Sequence, residues 1–415
     1  MGSQKVRQSP GAAPQFFYGY IVVVAAFFIM VVIYGAQNAF GIFFKPILTE
    51  FGWTRAMTSG AFSLSWIVTG LLAIVMGGLT DRFGPRLVMT LCGFFLGLGY
   101  LLMSQIGTAW QLYLFYGVII GTGMGGVFIP LTSTIARWFV KRRSMVTGIV
   151  MSGVGMGILI TPLVASRLIF TYDWRSSYII LGSIVLVVVV LAAQLLRRDP
   201  TQVGQRPYGE NEGEEPGLEL GTKAFSLKEA VYTKQFRVVS AMLFCFGFCE
   251  FTIIVHIVPH AIDLEISAVS AANILATIGG LNIVGRVVLG GAGDRIGNRQ
   301  VFIFGFILMA AALFWLVPAT EAWMLYLFAA IFGFAHGGCA VSSAPLVAAL
   351  FGLSSHGLIM GFVGLSYTSG AALGPFLAGY IFDITSSYQL AFLVCGAIAV
   401  VGLILAALLT PTKTS

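Results

Sequence analysis

Twelve apolar runs separated by short polar stretches dominate this sequence. They lie at 17–43, 57–79, 86–106, 109–136, 144–170, 177–196, 238–261, 269–292, 300–318, 322–350, 356–382 and 388–410. As a helix, each is long enough to cross ~30 Å of hydrocarbon. Backbone polar groups inside a bilayer must be bonded within their own segment, so the runs are expected to be helices. Composition agrees: 58% of the 415 residues are hydrophobic and 9% are charged, an apolar excess that no water-soluble core needs. The N-terminus is polar, and the first run is too long for the apolar region of a signal peptide.

Charge gives the direction. Lys and Arg collect on the cytoplasmic side of membrane proteins. With both ends in the cytoplasm, 18 of the 23 Lys and Arg fall inside. Lys45, Arg55, Arg167 and Arg175 fall outside, and Arg286 lies within a span. The net charge of +7 therefore reads as loop charge facing anionic lipid rather than a nucleic-acid surface. The five cysteines (Cys92, Cys245, Cys249, Cys339 and Cys395) all fall in apolar stretches and read as small packing residues, not disulfides.

The chain divides into a cytoplasmic tail at 1–16, six spans at 17–196, a linker at 197–237, six spans at 238–410 and a second tail at 411–415. In the linker, "GENEGEEPGLELG" is charged, Gly-rich and expected to be disordered. "SLKEAVYTKQF" places Ser226 and Glu229 at capping-box spacing, with Leu227, Ala230, Val231 and Phe236 available for one face. It reads as a short helix on the cytoplasmic membrane surface.

The two halves repeat. "GGLTDRFGPR" (77–86) follows span 2 and "GGAGDRIGNR" (290–299) follows span 8, sharing Gly-Gly-x-x-Asp-Arg-x-Gly-x-Arg. Two related halves with a site between them at the bilayer midplane are a transporter design. The motif resembles that of the major facilitator superfamily. The resemblance implies an all-α membrane protein of twelve transmembrane helices in two pseudo-symmetric six-helix halves. It also implies that Asp81, Arg82 and Arg86, with Asp294, Arg295 and Arg299, are gating residues that clamp helix ends, not ligands.

"RWFVKRRSMVTGIVMSGVGMG" (137–157) enters span 5. It is similar to a motif of the monocarboxylate transporter family, carried here by Arg137, Trp138, Phe139, Arg142, Arg143, Gly148, Ser152, Gly153 and Gly157. Small residues at that spacing let helices approach closely. Arg142 and Arg143 are grouped with the gating residues. "GLSYTSGAALGPFLAGYIFDITSSY" (364–388) resembles the same family's span 11, with Gly374-Pro375, Gly379 and Asp383. There are departures. Tyr18-Gly19 stands where the family has an acidic residue before Gly. Asn38 stands at the position of a Lys carried by animal members. Asn282 stands where they carry an Asp four residues before the span 8 Arg. With these departures the chain resembles a bacterial-type, lactate-transporting homologue of that family.

Arg286 is the residue the function turns on. A guanidinium in lipid costs at least ~2.5–3.5 kcal/mol on insertion scales, so it needs a partner. A structural ion pair and snorkelling towards the inner interface are two answers; a substrate carboxylate, held by the bidentate guanidinium fork, is the third. Asn282, one turn earlier on the same face, is expected to contact the substrate or restrain the guanidinium. Spans 1, 4, 5, 10 and 11 have no central Lys or Arg. One cation neutralises one carboxylate, and a dianion would stay under-compensated. That favours a small monocarboxylate such as L-lactate or pyruvate, with Asn38, Tyr34, Phe362 and Tyr367 as further lining candidates.

A monoanion driven against a negative interior costs about 2.3 kcal/mol per 100 mV, whereas moving it with a proton is electroneutral. Span 7 offers Glu250, His256, His260 and Asp263 as proton carriers, since intramembrane titratable groups are functional by default. Pro259 is expected to bend the helix there. His336 of span 10 reads as packing.

Other chemistries fall away. "GTGMGG" (121–126) lies in an apolar helix with no strand before it, so it is not a nucleotide loop. No residues have metal-ligand spacing, no nucleophile elbow is present, and no enzyme activity or cofactor is expected. The expected partners are a small monocarboxylate anion, a proton and the lipid bilayer. A monomer in the plasma or cell inner membrane is expected, with both termini cytoplasmic. Three rival readings stay open: an anion exchanger of the oxalate–formate type, a proton-driven exporter of a larger organic acid or drug, and a non-transporting membrane receptor.

Overall fold

The computed structural model describes residues 17–139, 142–209, 225–352 and 356–409. The tails, the acidic stretch of the linker and the side chains of Arg143 and Asp294 lie outside the described residues.

Twelve apolar helices cross the molecule. Span 1 runs as two abutting helices, Gly19–Asn38 and Phe40–Phe51. Spans 2 to 6 are Arg55–Phe83, Pro85–Met103, Ala109–Trp138, Arg143–Thr171 and Trp174–Leu195. Spans 7 to 12 are Lys234–Asp263, Ala268–Ile296, Asn298–Leu316, Ala322–Phe351, His356–Thr385 and Gln389–Leu408. The sequence marks several starts. Thr54, Asp173, Thr233 and Ser267 each accept a hydrogen bond from the backbone N–H three residues on, which satisfies a donor the helix leaves orphaned. Ser226 and Glu229 form a reciprocal cap on the short helix Leu227–Val231 before span 7.

The outer surface is apolar. Phe28, Leu71, Phe170 and Ile404 are all at least half exposed, which an aqueous surface does not tolerate over this extent and a bilayer requires. All five cysteines are buried and none forms a disulfide.

The repeated motif has a structural meaning in both halves. Gly84 and Gly297 take φ of 84° and 92°, a region where side chains other than hydrogen are strained, and each turns the chain from one span into the next. The last arginine of each copy then ties the next span to the last span of its half. Arg86 donates from Nε to Gln194 Oε1 at 2.8 Å. Arg299 donates to the carbonyls of Ala406 and Ala407 at 3.2 and 2.7 Å.

The halves meet along two seams, span 2 on span 11 and span 5 on span 8. Glycine makes the second seam possible: a Cβ on Gly279 would lie 2.4 Å from Leu159 N. Because odd spans start at the end that holds the linker, the bundle has a linker face and a far face. The candidate site lies between them.

Candidate anion site and its gate

Arg286 sits ten residues before the linker-face end of span 8, about 15 Å along the axis. It is partly exposed. Its Nε donates to Asn282 Oδ1 at 2.9 Å. Asn282 is wholly buried and turns its Nδ2 to Nδ1 of His336, 3.0 Å away on span 10. His336 Nε2 lies 2.8 Å from Glu250 Oε1 on span 7. Tyr367 of span 11 donates its hydroxyl to Glu250 Oε2 at 2.9 Å. One unbroken polar line therefore joins spans 8, 10, 7 and 11 at mid-height.

Arg286 is held by its Nε edge. Among the described residues, no carboxylate lies within ion-pair distance of it and neither Nη nitrogen has a hydrogen-bond partner. Glu250, Tyr367 and Tyr34 are its electrostatic neighbours. The Tyr367 ring packs against Phe246, Phe251 and Trp66, and the buried Trp66 Nε1 has no partner among the described residues.

The remaining lining candidates divide. Tyr34 is an electrostatic neighbour of Glu250 and Arg286. Asn38 is buried and bonds through Nδ2 to the Tyr34 carbonyl one turn earlier at 2.7 Å, leaving its Oδ1 unpartnered among the described residues. Phe362 is 43% exposed and makes no ring contact with the cluster.

The four proton-carrier candidates also separate. Glu250 belongs to the central line. His256 lies nearer the far face, with Nδ1 2.9 Å from Tyr388 Oη and Nε2 2.8 Å from the Pro375 carbonyl. His260 packs edge-on to Tyr388 and Phe392. Asp263 takes Lys45 Nζ and Arg55 Nη2 at 2.5 Å each.

That last contact is the centre of a latch across the far face. Arg55, 7% exposed, also donates to Tyr388 Oη at 2.6 Å and stacks its guanidinium 3.6 Å from the Phe382 ring centroid. Asp383 accepts from the backbone N–H groups of Arg55 and Ala56 at 2.8 Å each, capping span 2 from the other half. N-half cations and C-half carboxylates are thus interlocked. On the linker face, among the described residues, the motif contacts stay within their own halves. Asp81 pairs with Arg137 at 2.8 Å, Arg86 and Arg299 make the contacts above, and Arg82 lies over Phe83. Arg295 and Arg142 are exposed, and Arg142 has left-handed backbone before span 5.

Sequence reasoning missed two features. His336 reads as packing, yet it bridges Asn282 and Glu250; the criterion applied to Glu250, a titratable group at mid-span, would have found it. The Arg55–Asp263–Asp383 latch joins spans 2, 7 and 11, and no local pattern pairs those residues.

Comparison with known proteins bears on the whole chain. The Major Facilitator Superfamily pattern matches residues 26–291 and 239–415. Monocarboxylate transporter 13 of Bos taurus is 27% identical over 391 residues, covering 93% of this chain and 88% of that one. Monocarboxylate transporter 11 of Homo sapiens is 29% identical over 409 residues, covering 95% and 83%. The fold matches a bacterial homologue of the human lysosomal transporter Spinster, solved inward-facing and occupied, with a TM-score of 0.74, 17% identity and 96% coverage of each chain.

Proposed function

Because the chain belongs to the major facilitator superfamily and is a membrane transporter rather than an enzyme, we propose that it carries small monocarboxylates together with protons by alternating access. The observation that carries this reading is Arg286, tethered by Nε to Asn282 with no carboxylate partner among the described residues. A guanidinium oriented through Nε leaves the planar Nη side for a carboxylate, which takes two parallel hydrogen bonds there. The similarity to monocarboxylate transporters supports the same substrate class. L-lactate and pyruvate are of the size and valence proposed.

Asn282 is proposed as the residue that aims Arg286, with Tyr34 and Tyr367 beside the anion and the Oδ1 of Asn38, unpartnered among the described residues, as a further polar contact. Glu250 gives the site its balance. One Arg and one carboxylate sum to zero charge, so an anion enters without net charge only when a proton enters with it. Electroneutral entry avoids the work against the membrane potential.

Placing the linker face in the cytoplasm follows the excess of Lys and Arg there. The far-face latch is then a closed outer gate and the described conformation is inward-facing. The membrane proposed is the plasma or cell inner membrane. The test is uptake of labelled L-lactate and pyruvate into proteoliposomes holding the full chain. Proton symport predicts uptake driven by an inward proton gradient and indifferent to an imposed potential. Uptake that needs unlabelled acid inside would make the protein an exchanger instead.

A further inference from the structure

The direction of each hydrogen bond along the central line is fixed by chemistry. The Nε–H of Arg286 only donates, so the Asn282 atom 2.9 Å from it must be the oxygen. The other end of that amide is then NH2, which also only donates. His336 Nδ1, 3.0 Å away, must accept and carry no proton. The imidazole proton therefore sits on Nε2, aimed at Glu250 Oε1 at 2.8 Å. A second proton on His336 would set an N–H against the Asn282 NH2. Turning the amide to relieve that clash would set its NH2 against Arg286 instead.

We infer that His336 is a positioning residue locked as the neutral Nε2–H tautomer, that Glu250 is the group that takes the coupling proton, and that Tyr367 signals its arrival to the anion. This rests on the transport reading above and names how the same site couples its two cargoes. Glu250 faces His336 and Cys339 from span 10, Tyr367 from span 11, Arg286 from span 8 and Tyr34 from span 1. Cys395 of span 12 faces Cys249 one residue away.

The two oxygens differ in their partners: the His336 N–H can only donate, whereas the Tyr367 hydroxyl can also accept. Oε1 is held by the His336 N–H, and Oε2 accepts from the Tyr367 hydroxyl. When a proton from the cleft bonds to Oε2, the new O–H donates to the Tyr367 oxygen. The Tyr367 hydroxyl must then turn its own proton elsewhere. Arg286 is an electrostatic neighbour of that hydroxyl, and the released donor is then free for a carboxylate beside it. Protonation of Glu250 thus removes a negative charge and adds a donor at the anion site in one step.

The test combines transport with spectroscopy on the full-length protein. Glutamine at 336 can accept from Asn282 and donate to Glu250, but it cannot titrate. In proteoliposomes, His336→Gln is expected to keep the parent's fall in KM for labelled L-lactate on acidification, even with a lower Vmax. Glu250→Gln and Tyr367→Phe are expected to lose that fall. Independently of any substrate, infrared difference spectra of purified protein should show a protonated-carboxyl band on acidification that persists in His336→Gln and is absent in Glu250→Gln. Nitrogen NMR of histidine-labelled protein should show His336 neutral over the same range. Loss of the carboxyl band in His336→Gln, or an imidazolium signal from His336, overturns the assignment. Failure of the parent to take up any monocarboxylate refutes the transport reading, while the infrared band still decides where the proton sits.

Discussion

Arg55 at the start of span 2 and Asp263 at the end of span 7 close the far end of the cleft, Nη2 to Oδ2, at 2.5 Å. The same carboxylate also takes Lys45. One side chain of the C half thereby holds two cations of the N half. In the alternating access proposed above such a contact would break each cycle and would set how much time the far face spends closed.

Asp263→Asn keeps the shape and removes the charge. Losing a hydrogen bond to a charged group costs about 1.5–3 kcal/mol, roughly one to two decades of population. Spin labels at Thr49 and Ser386, exposed in the two halves, are expected to give a longer distance distribution in this variant by double electron–electron resonance. An unchanged distribution would show that the pair does not hold the gate.

Close packing makes a second prediction. A Cβ on Gly157 of span 5 would lie 2.4 Å from Val31 O and 2.7 Å from Gly35 N, whereas Gly148 has open space. Gly157→Ala is expected to lower the melting temperature in detergent, by the about 1–3 kcal/mol typical of overpacking. Gly148→Ala is expected to match or exceed the parent, since glycine within a helix costs roughly 0.5–1 kcal/mol relative to alanine. Equal effects of the two substitutions would remove the contact explanation.

A third prediction concerns acid stability. Asp173 caps span 6, its Oδ1 2.7 Å from Ser176 N and its Oδ2 3.0 Å from Ser176 Oγ. The backbone bond, then the hydroxyl bond, holds its carboxyl below the ordinary range. A lowered carboxyl contributes stability that is present above its unfolded value and is lost as pH falls through its folded one. Asp173→Ala is therefore expected to lower the melting temperature near neutral pH, and this difference should shrink below the carboxylate range. A difference that persists in acid would point to a cause other than the charged cap.

Much of this was legible in the sequence because hydrocarbon is a strict solvent. It demands helices of bilayer length, so twelve apolar runs become twelve spans. The repeated motif showed the two halves, and its glycines and final arginines explain why it is repeated. Arg286 and Glu250 stood out because charge at mid-span is costly. What stayed hidden is which residues of distant spans face each other. Asn282 bonds to His336 and Arg55 to Asp263 across 54 and 208 positions, and those pairings come from how the spans pack rather than from any one segment. Asp263 reads as a proton carrier by its type and place on span 7; that it also pairs with Lys45 and Arg55 of the other half was not legible there.

The central claim is that the Arg286 fork holds the substrate carboxylate, and uptake of labelled L-lactate by Arg286→Lys tests it most directly. Lysine keeps the charge but offers a point donor in place of a planar pair. The account predicts correctly inserted protein with uptake reduced by about tenfold or more, a loss of at least roughly 1.4 kcal/mol. Uptake equal to that of the parent would contradict it.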